Sequence, residues 1–398
     1  MAEKGSLLHS VLFWAVMGPV MALLTLLRPL AHIRVQSLLT YRIGHFSMNT
    51  EMYLCERDAG LAPPRTRDYF FHTPLVCNQA LKAIIDRAPL RIRRWPVYVM
   101  KAVERSGRFQ AHVVRTSSRD RHGIFEGCAP HFALTDQEME QGRAFLRDVG
   151  AEEGKYVCLL CRDSAYMEQH LPGADWSYHD YRDVNVDDYV QACEALAEKG
   201  YYVFRMGAAV HKPLQSDHPR VLDYAQNGMR TDFLDIFLSA TCAFFLSNGS
   251  GLDGVAKMFR RPILYTNLVP LCFVRGETAR DVILPKLVLD VEGRPLPLSR
   301  LMVHGGDKGP GFFSHTDQYL QAGIGLRGNS PEEITEAALE MEARVQGAWT
   351  ETEQEAALME SFWSHFPRDD YNRVFHARVA RAFLSRHADL LGADREAA

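Results

Sequence analysis

The chain has 398 residues, 47% of them hydrophobic and 24% charged, enough for two domains with full cores. A net charge of −4 provides no basic field to hold nucleic acid by counterion release. The eight cysteines are scattered, and the strand-like run around Cys158-Leu-Leu-Cys161 sends its two thiols to opposite faces, which argues against zinc and disulfides and fits a reducing compartment.

Gly5 to Leu27 carries no formal charge, and Val11 to Leu27 is almost wholly apolar, near the lower length limit for a membrane helix. No small-x-small cleavage site follows, because Arg28-Pro29 leads directly into Ile33-Arg34-Val35, the expected first strand. Gly18-Pro19 predicts a kink, so an interfacial or re-entrant hairpin, a straight span and a buried core helix are all open readings. Residues 1–30 are taken as a membrane-associating segment, and Arg28 and Arg34 put the main body on the cytoplasmic face of the inner membrane.

The first half alternates strands and helices: a strand over Arg34 to Leu39, a turn at Tyr41-Arg42-Ile43-Gly44-His45, a helix from Asn49 to Ala59, a strand at Tyr69 to His72, and helices at Ala80 to Ile85 and Val97 to Arg105. Arg115 to Thr135 reads as an active-site loop or a disordered lid, and a helix from Glu138 to Val149 closes the lobe. Next come a strand over Tyr156 to Cys161, a helix over Val186 to Lys199, a strand over Tyr201 to Arg205, and a strand-turn-helix-strand unit over Cys242 to Asn267. Ser330-Pro331-Glu332-Glu333 starts a helix that runs to Val345. An amphipathic helical tail then packs back across the lobes. The expected fold is α/β, two Rossmann-like lobes facing a cleft: 31–150, 151–347, and C-terminal helices over 348–398.

The three strands of the second half end in polar clusters: Arg162-Asp163-Ser164, Arg205-Met206-Gly207 and Asn248-Gly249-Ser250-Gly251. In a parallel sheet these ends share one edge, where two guanidiniums and a helix N-terminus suit a diphosphate. Alternatively, each Arg is a surface residue or an ion-pair partner for Asp163 or Asp235. Gly249-x-Gly251-x-x-Gly254 is the nominal dinucleotide spacing, yet no acidic residue ends the next strand, which closes on the neutral Asn267, and Asp253 lies inside the motif. His179 and Arg182, with Asn267, are candidate sugar or base contacts. No metal signature or nucleophile pattern is present. In the first half His45, or Glu51 on the following helix, is the candidate general base.

Arg42-Ile-Gly-His45 with Asn49-Thr-Glu51, Cys161-Arg-Asp-Ser164-Ala-Tyr166, His179-Asp-Tyr-Arg182, Gly200-Tyr-Tyr-Val-Phe-Arg-Met-Gly207, Asp223-Tyr224, Ser250-Gly251 and Ile283-Leu-Pro-Lys286 together resemble a bacterial family of glycosyltransferases found around surface-polysaccharide and glycoconjugate synthesis. The resemblance covers roughly residues 34 to 391 and leaves the apolar N-terminus outside it. It implies a GT-B enzyme that binds a nucleotide-sugar donor mainly through its second lobe, without a metal or other cofactor, and transfers the sugar to a hydroxyl of a glycan or lipid-linked acceptor. Lys286 would join Arg162, Asp163, Arg205, Gly207 and the 248–251 turn in holding the donor. An NAD-dependent oxidoreductase or epimerase and a non-catalytic, membrane-attached nucleotide-sugar-binding protein are the alternatives.

Overall fold

Ala2 to Leu27 form one uninterrupted helix, α1, with Pro19 inside it. The helix continues through the proline where a kink is expected, and Met17 and Met21, on either side of it, are both buried against the first unit. The computed structural model describes residues 2–170, 175, 177–271, 278–302, 305–306, 309–310, 313–366 and 375–391. It divides into two units, Met1–Ser118 and Arg119–Ala398.

In the first unit α1 is followed by β1 (His32–Ser37), α2 (Ile43–Asp58), β2 (Thr66–Phe71), α3 (Gln79–Asp86) and α4 (Pro96–Ser106). The parallel pair β1 and β2 places Val35 opposite Tyr69, and single bridges from Val35 to Val113 and from Phe70 to Ile92 extend it on each side. This sheet is smaller than the Rossmann-like lobe expected of it. Helix α2 starts six residues before the expected Asn49, because Arg42 takes an extended N-cap conformation (φ −128°, ψ 102°) and turns the chain there.

The second unit begins about thirty residues earlier than the expected boundary at 150. Helix α5 (Asp136–Val149) lies in it, with Gly142 pressed against the Phe237 ring of α8 (Asp232–Thr241). The segment from Arg119 to Thr135 is an ordered loop in place of a lid. The Asp120 carboxylate accepts from the amides of Ile124 (3.1 Å) and Phe125 (2.7 Å), and the Arg260 guanidinium covers the Phe125 ring at 3.9 Å.

From α5 the chain enters β3 (Tyr156–Leu160), then α6 (Ala165–His170), α7 (Val190–Glu198), β4 (Tyr202–Arg205), β5 (Val221–Leu222), α8, β6 (Phe244–Ser247), α9 (Asp253–Met258), β7 (Ile263–Leu268) and β8 (Val282–Pro285). Every residue of β3 is buried, as a parallel strand covered on both faces requires. The two faces separate its cysteines: Cys158 donates to Leu238 O on α8, while Cys161 lies near Cys193 of α7. All seven described cysteines are free thiols.

The strands assemble in the order β5-β4-β3-β6-β7-β8, all parallel, and the short strand Arg378–Val379 adds to the β8 edge. The chain therefore starts mid-sheet at β3, winds outward through β4 and β5, and returns to wind the other way from β6. The tail is not purely helical: between helices Glu353–Ser364 and Arg381–Arg386 it supplies that edge strand.

Candidate functional site

The winding reverses between β3 and β6, and in an open parallel sheet the crevice outside the strand C-termini at such a reversal is where ligands bind. Two loops meet there and are stitched by one amide. Asn248, after β6, accepts from the Arg162 backbone N–H at 2.9 Å and donates to Arg182 O at 2.9 Å.

Three cations gather around this stitch. The Arg162 guanidinium, only 11% exposed, pairs with the Asp183 carboxylate and donates to His179 O at 3.3 Å. Arg182 donates to Gly249 O. Lys286, at the end of β8, donates to Tyr181 O (2.9 Å) and Asp183 O (3.3 Å). Burial pushes the Asp183 carboxyl up to about 6, against the pull of Arg162, and burial pushes the Lys286 ammonium down to about 8, with Arg162 and Arg182 adding to the fall. Two of the acceptors now held by these cations, the His179 and Tyr181 carbonyls, belong to the 3-10 turn Ser177–Arg182, and the others are Asp183 and the Gly249 carbonyl.

The glycine turn is wired internally. Gly249 adopts φ 82°, a left-handed conformation open to glycine, and its amide donates to Ser247 Oγ at 3.1 Å. The Ser250 amide also points at Ser247 Oγ (3.4 Å), which in turn donates to Asp253 Oδ2 at 2.9 Å. The carboxylate at the start of α9 thus comes from the chain itself, and α9 has only six residues. The same wiring, and the position of the turn after β6 and not after the first strand of the sheet, oppose the dinucleotide reading. Gly254 is buried within α9.

Several expected donor contacts belong to the scaffold. Arg205 is 1% exposed and donates to Asp223 Oδ1 (3.1 Å) and Lys212 O (3.0 Å), so the last residue of β4 is a buried ion-pair partner and not an open phosphate ligand. Asp163 accepts from the amides of Ala165 (3.1 Å) and His211 (3.0 Å), tying the loops after β3 and β4 together. Gly207 has φ 151°, and a Cβ there would meet Val210 Cγ1 at 2.7 Å. Asn267 exchanges hydrogen bonds with Asn329, its Oδ1 accepting from Asn329 N (2.8 Å) and its backbone N–H donating to Asn329 Oδ1 (2.5 Å), which excludes it as a ligand contact. In the first unit His45 stands in the first turn of α2, half-buried, with Nδ1 3.4 Å from Asn49 Oδ1. Glu51 is completely buried in α2, which removes it as an acceptor base.

Beside the crevice, over the ends of β3, β4 and β5, lies an open cleft of about 560 Å³ walled by Glu168, Gln169, Val210, His211 and Gln226. His211 Nε2 is 3.1 Å from Ser164 Oγ and 3.4 Å from Glu168 Oε2, both on the same nitrogen, so this is a polar wall and not a nucleophile relay. On the other side Tyr178 stacks on His315 with ring centroids 4.9 Å apart and lies 3.9 Å from His179. His211 and Glu168 were not legible as site residues, although the His follows the Gly207-Ala-Ala-Val run that leaves β4.

No family model matches the chain, and no curated protein matches its sequence. Among solved structures it is similar to the glycosyl transferase family 9 protein from Veillonella parvula DSM 2008, at 11% identity and TM-score 0.37, covering 59% of this chain and 80% of that one. It is also similar to E. coli ADP-heptose LPS heptosyltransferase II, at 13% identity and TM-score 0.37, covering 64% and 91%. Likenesses at this level establish neither fold nor activity for this chain.

Proposed function

We propose that the chain is a glycosyltransferase that moves a sugar from a nucleotide-sugar donor to a hydroxyl of a glycan or lipid-linked acceptor, working on the cytoplasmic face of the cell membrane. The observation that carries the reading is the crevice at the winding reversal, where Arg162, Arg182 and Lys286 surround one point of the sheet edge beside an open cleft. In this reading the nucleoside occupies the cleft over β3 to β5 and its diphosphate the crevice that holds the three cations. To bind it, Arg162, Arg182 and Lys286 exchange carbonyl and Asp183 acceptors for phosphate oxygens, which are more highly charged. Stabilising that leaving group as the glycosyl bond breaks is then the task of these side chains, without a metal. The GT-B resemblance supports the same assignment, and His45 is the proposed base for the acceptor hydroxyl.

Thermal-shift and calorimetric titration of the full chain with UDP, GDP, CMP and NAD test the reading. A nucleoside phosphate should stabilise the protein, and Arg162→Ala or Lys286→Met should weaken that binding about tenfold or more. Stabilisation by NAD alone would sink it. Binding of a nucleotide sugar without hydrolysis or transfer to any acceptor would favour the non-catalytic binding protein.

A further inference from the structure

Helix α1 is apolar all round, yet only one side of it is covered. Phe13, Trp14, Met17, Met21 and Leu24 pack against Val35 of β1 and Val99, Ala102 and Val103 of α4. On the other side Leu12, Val16, Leu23 and Leu26 are 55–77% exposed. Over His9–Leu27 just 11% of the helix is buried, whereas the core helix of a soluble domain is mostly covered.

The segment that leads into α4, and α4 itself, are basic. Arg87, Arg91, Arg93, Arg94, Lys101, Arg105 and Arg108 are all exposed, against one exposed acid, Glu104, between Arg87 and Arg108. The exposed aromatics Trp95 and Tyr98 lie in the same stretch, and Tyr98 is two helical turns before Arg105, on the same flank of α4. That flank borders α1, because the Arg105 guanidinium covers the Phe13 ring at 4.3 Å.

We infer that α1 lies in the plane of an anionic bilayer surface, its bare stripe in the acyl region, with α4 and the 87–108 cations against the head groups, and that it does not cross the membrane. Apolar, aromatic and basic groups meet on one unit, a combination that an anionic bilayer surface attracts. A transbilayer path is opposed by Arg105. Phe13 lies about 21 Å up the helix from Leu27, so a span with the body on the Arg28 side would carry the attached guanidinium deep into hydrocarbon. The inference rests on the membrane association proposed above and is independent of glycosyl transfer.

Flotation of the full-length protein with vesicles of phosphatidylcholine, alone or mixed with phosphatidylglycerol, tests it. Binding should require the anionic lipid and weaken with salt. A Leu12→Glu, Val16→Glu, Leu23→Glu triple variant, whose sites face solvent, should lower the bound fraction about tenfold at unchanged melting temperature. Arg91→Glu, Arg93→Glu, Arg94→Glu should remove the lipid preference. In inside-out vesicles from an expression host, an N-terminal protease-cleavable tag should be cut from the same side as a C-terminal one. Protection of the N-terminal tag, equal binding to neutral vesicles, or lipid-independent self-association through α1 would each overturn the inference. Nucleotide binding measured on the same samples keeps its failure separate from failure of the transferase reading.

Discussion

At the scale of single residues, burial decides which cations can serve a ligand. Arg205 and Arg162 end neighbouring strands and look alike in sequence, but Arg205 is sealed against Asp223, while Arg162 faces the crevice with a carboxylate whose burial pushes its pKa up to about 6. Removing one member of a buried pair strands the other, at about 3–5 kcal/mol. Arg205→Ala should therefore lower the melting temperature sharply, whereas Arg162→Ala, whose partner Asp183 is more exposed and titrates near 6, should lower it less and lose nucleotide affinity. An Arg205→Ala protein that melts normally but no longer binds nucleotide would reverse this assignment. Lys286 gives a pH signature: its ammonium loses its proton near pH 8, so affinity for a nucleoside diphosphate should fall between pH 7 and 9, a fall that Lys286→Arg flattens. The linked stability effects have opposite signs. Asp183, raised from 3.8 to about 6, contributes stability that is present at low pH and lost between about 4 and 6, and Lys286, lowered from 10.5, contributes stability that is lost as pH falls from about 10.5 to 8. Asp183→Asn should abolish the first slope in pH-dependent melting curves.

At the scale of elements, local rules were legible where the determinant is local. The Ser330 start of the helix Pro331–Val345 was placed to the residue, because its capping box is contiguous: Ser330 Oγ accepts from Glu333 N at 3.2 Å, and Glu333 Oε2 accepts from Ser330 N at 2.8 Å. Ser330→Ala should cost about 1 kcal/mol in chemical denaturation. Gly142 is the opposite case. In an isolated helix Gly→Ala would gain about 1 kcal/mol, but a Cβ here would stand 2.2 Å from the Phe237 ring, and such overpacking costs about 1–3 kcal/mol. Gly142→Ala should therefore be net destabilising, and a raised melting temperature would show that the contact between α5 and α8 relaxes freely. The sequence reads Gly142 only as a weak helix position, because its partner is 95 residues away.

At the scale of the whole chain, the final residues complete a sheet begun two hundred residues earlier. Arg378–Val379 pairs with β8, and Val379, Phe383, Leu384 and Leu391 are buried. At roughly 2 kcal/mol each these four side chains contribute about 8 kcal/mol, comparable with the entire net stability of a domain. A chain lacking residues 375–398 should fail to accumulate as a folded, soluble protein, and normal melting of that truncation would contradict the packing described. No periodicity marks a two-residue strand, so the tail read as helical throughout.

The sequence alone determined that the chain is α/β, that Tyr156–Leu160 and its successors form a parallel sheet with polar ends, and that the apolar N-terminus is helical, because hydrophobic period, β-branching and capping act over a few residues. Tertiary structure decided the rest: the division at 118/119, the winding reversal between β3 and β6, and the choice of partner for every buried charge. Charges couple through space, so whether an Arg at a strand end waits for a ligand or holds an aspartate depends on residues that only the folded chain brings near. The same holds for α1, whose all-round apolarity gave no sign that one stripe would be covered and the other left bare.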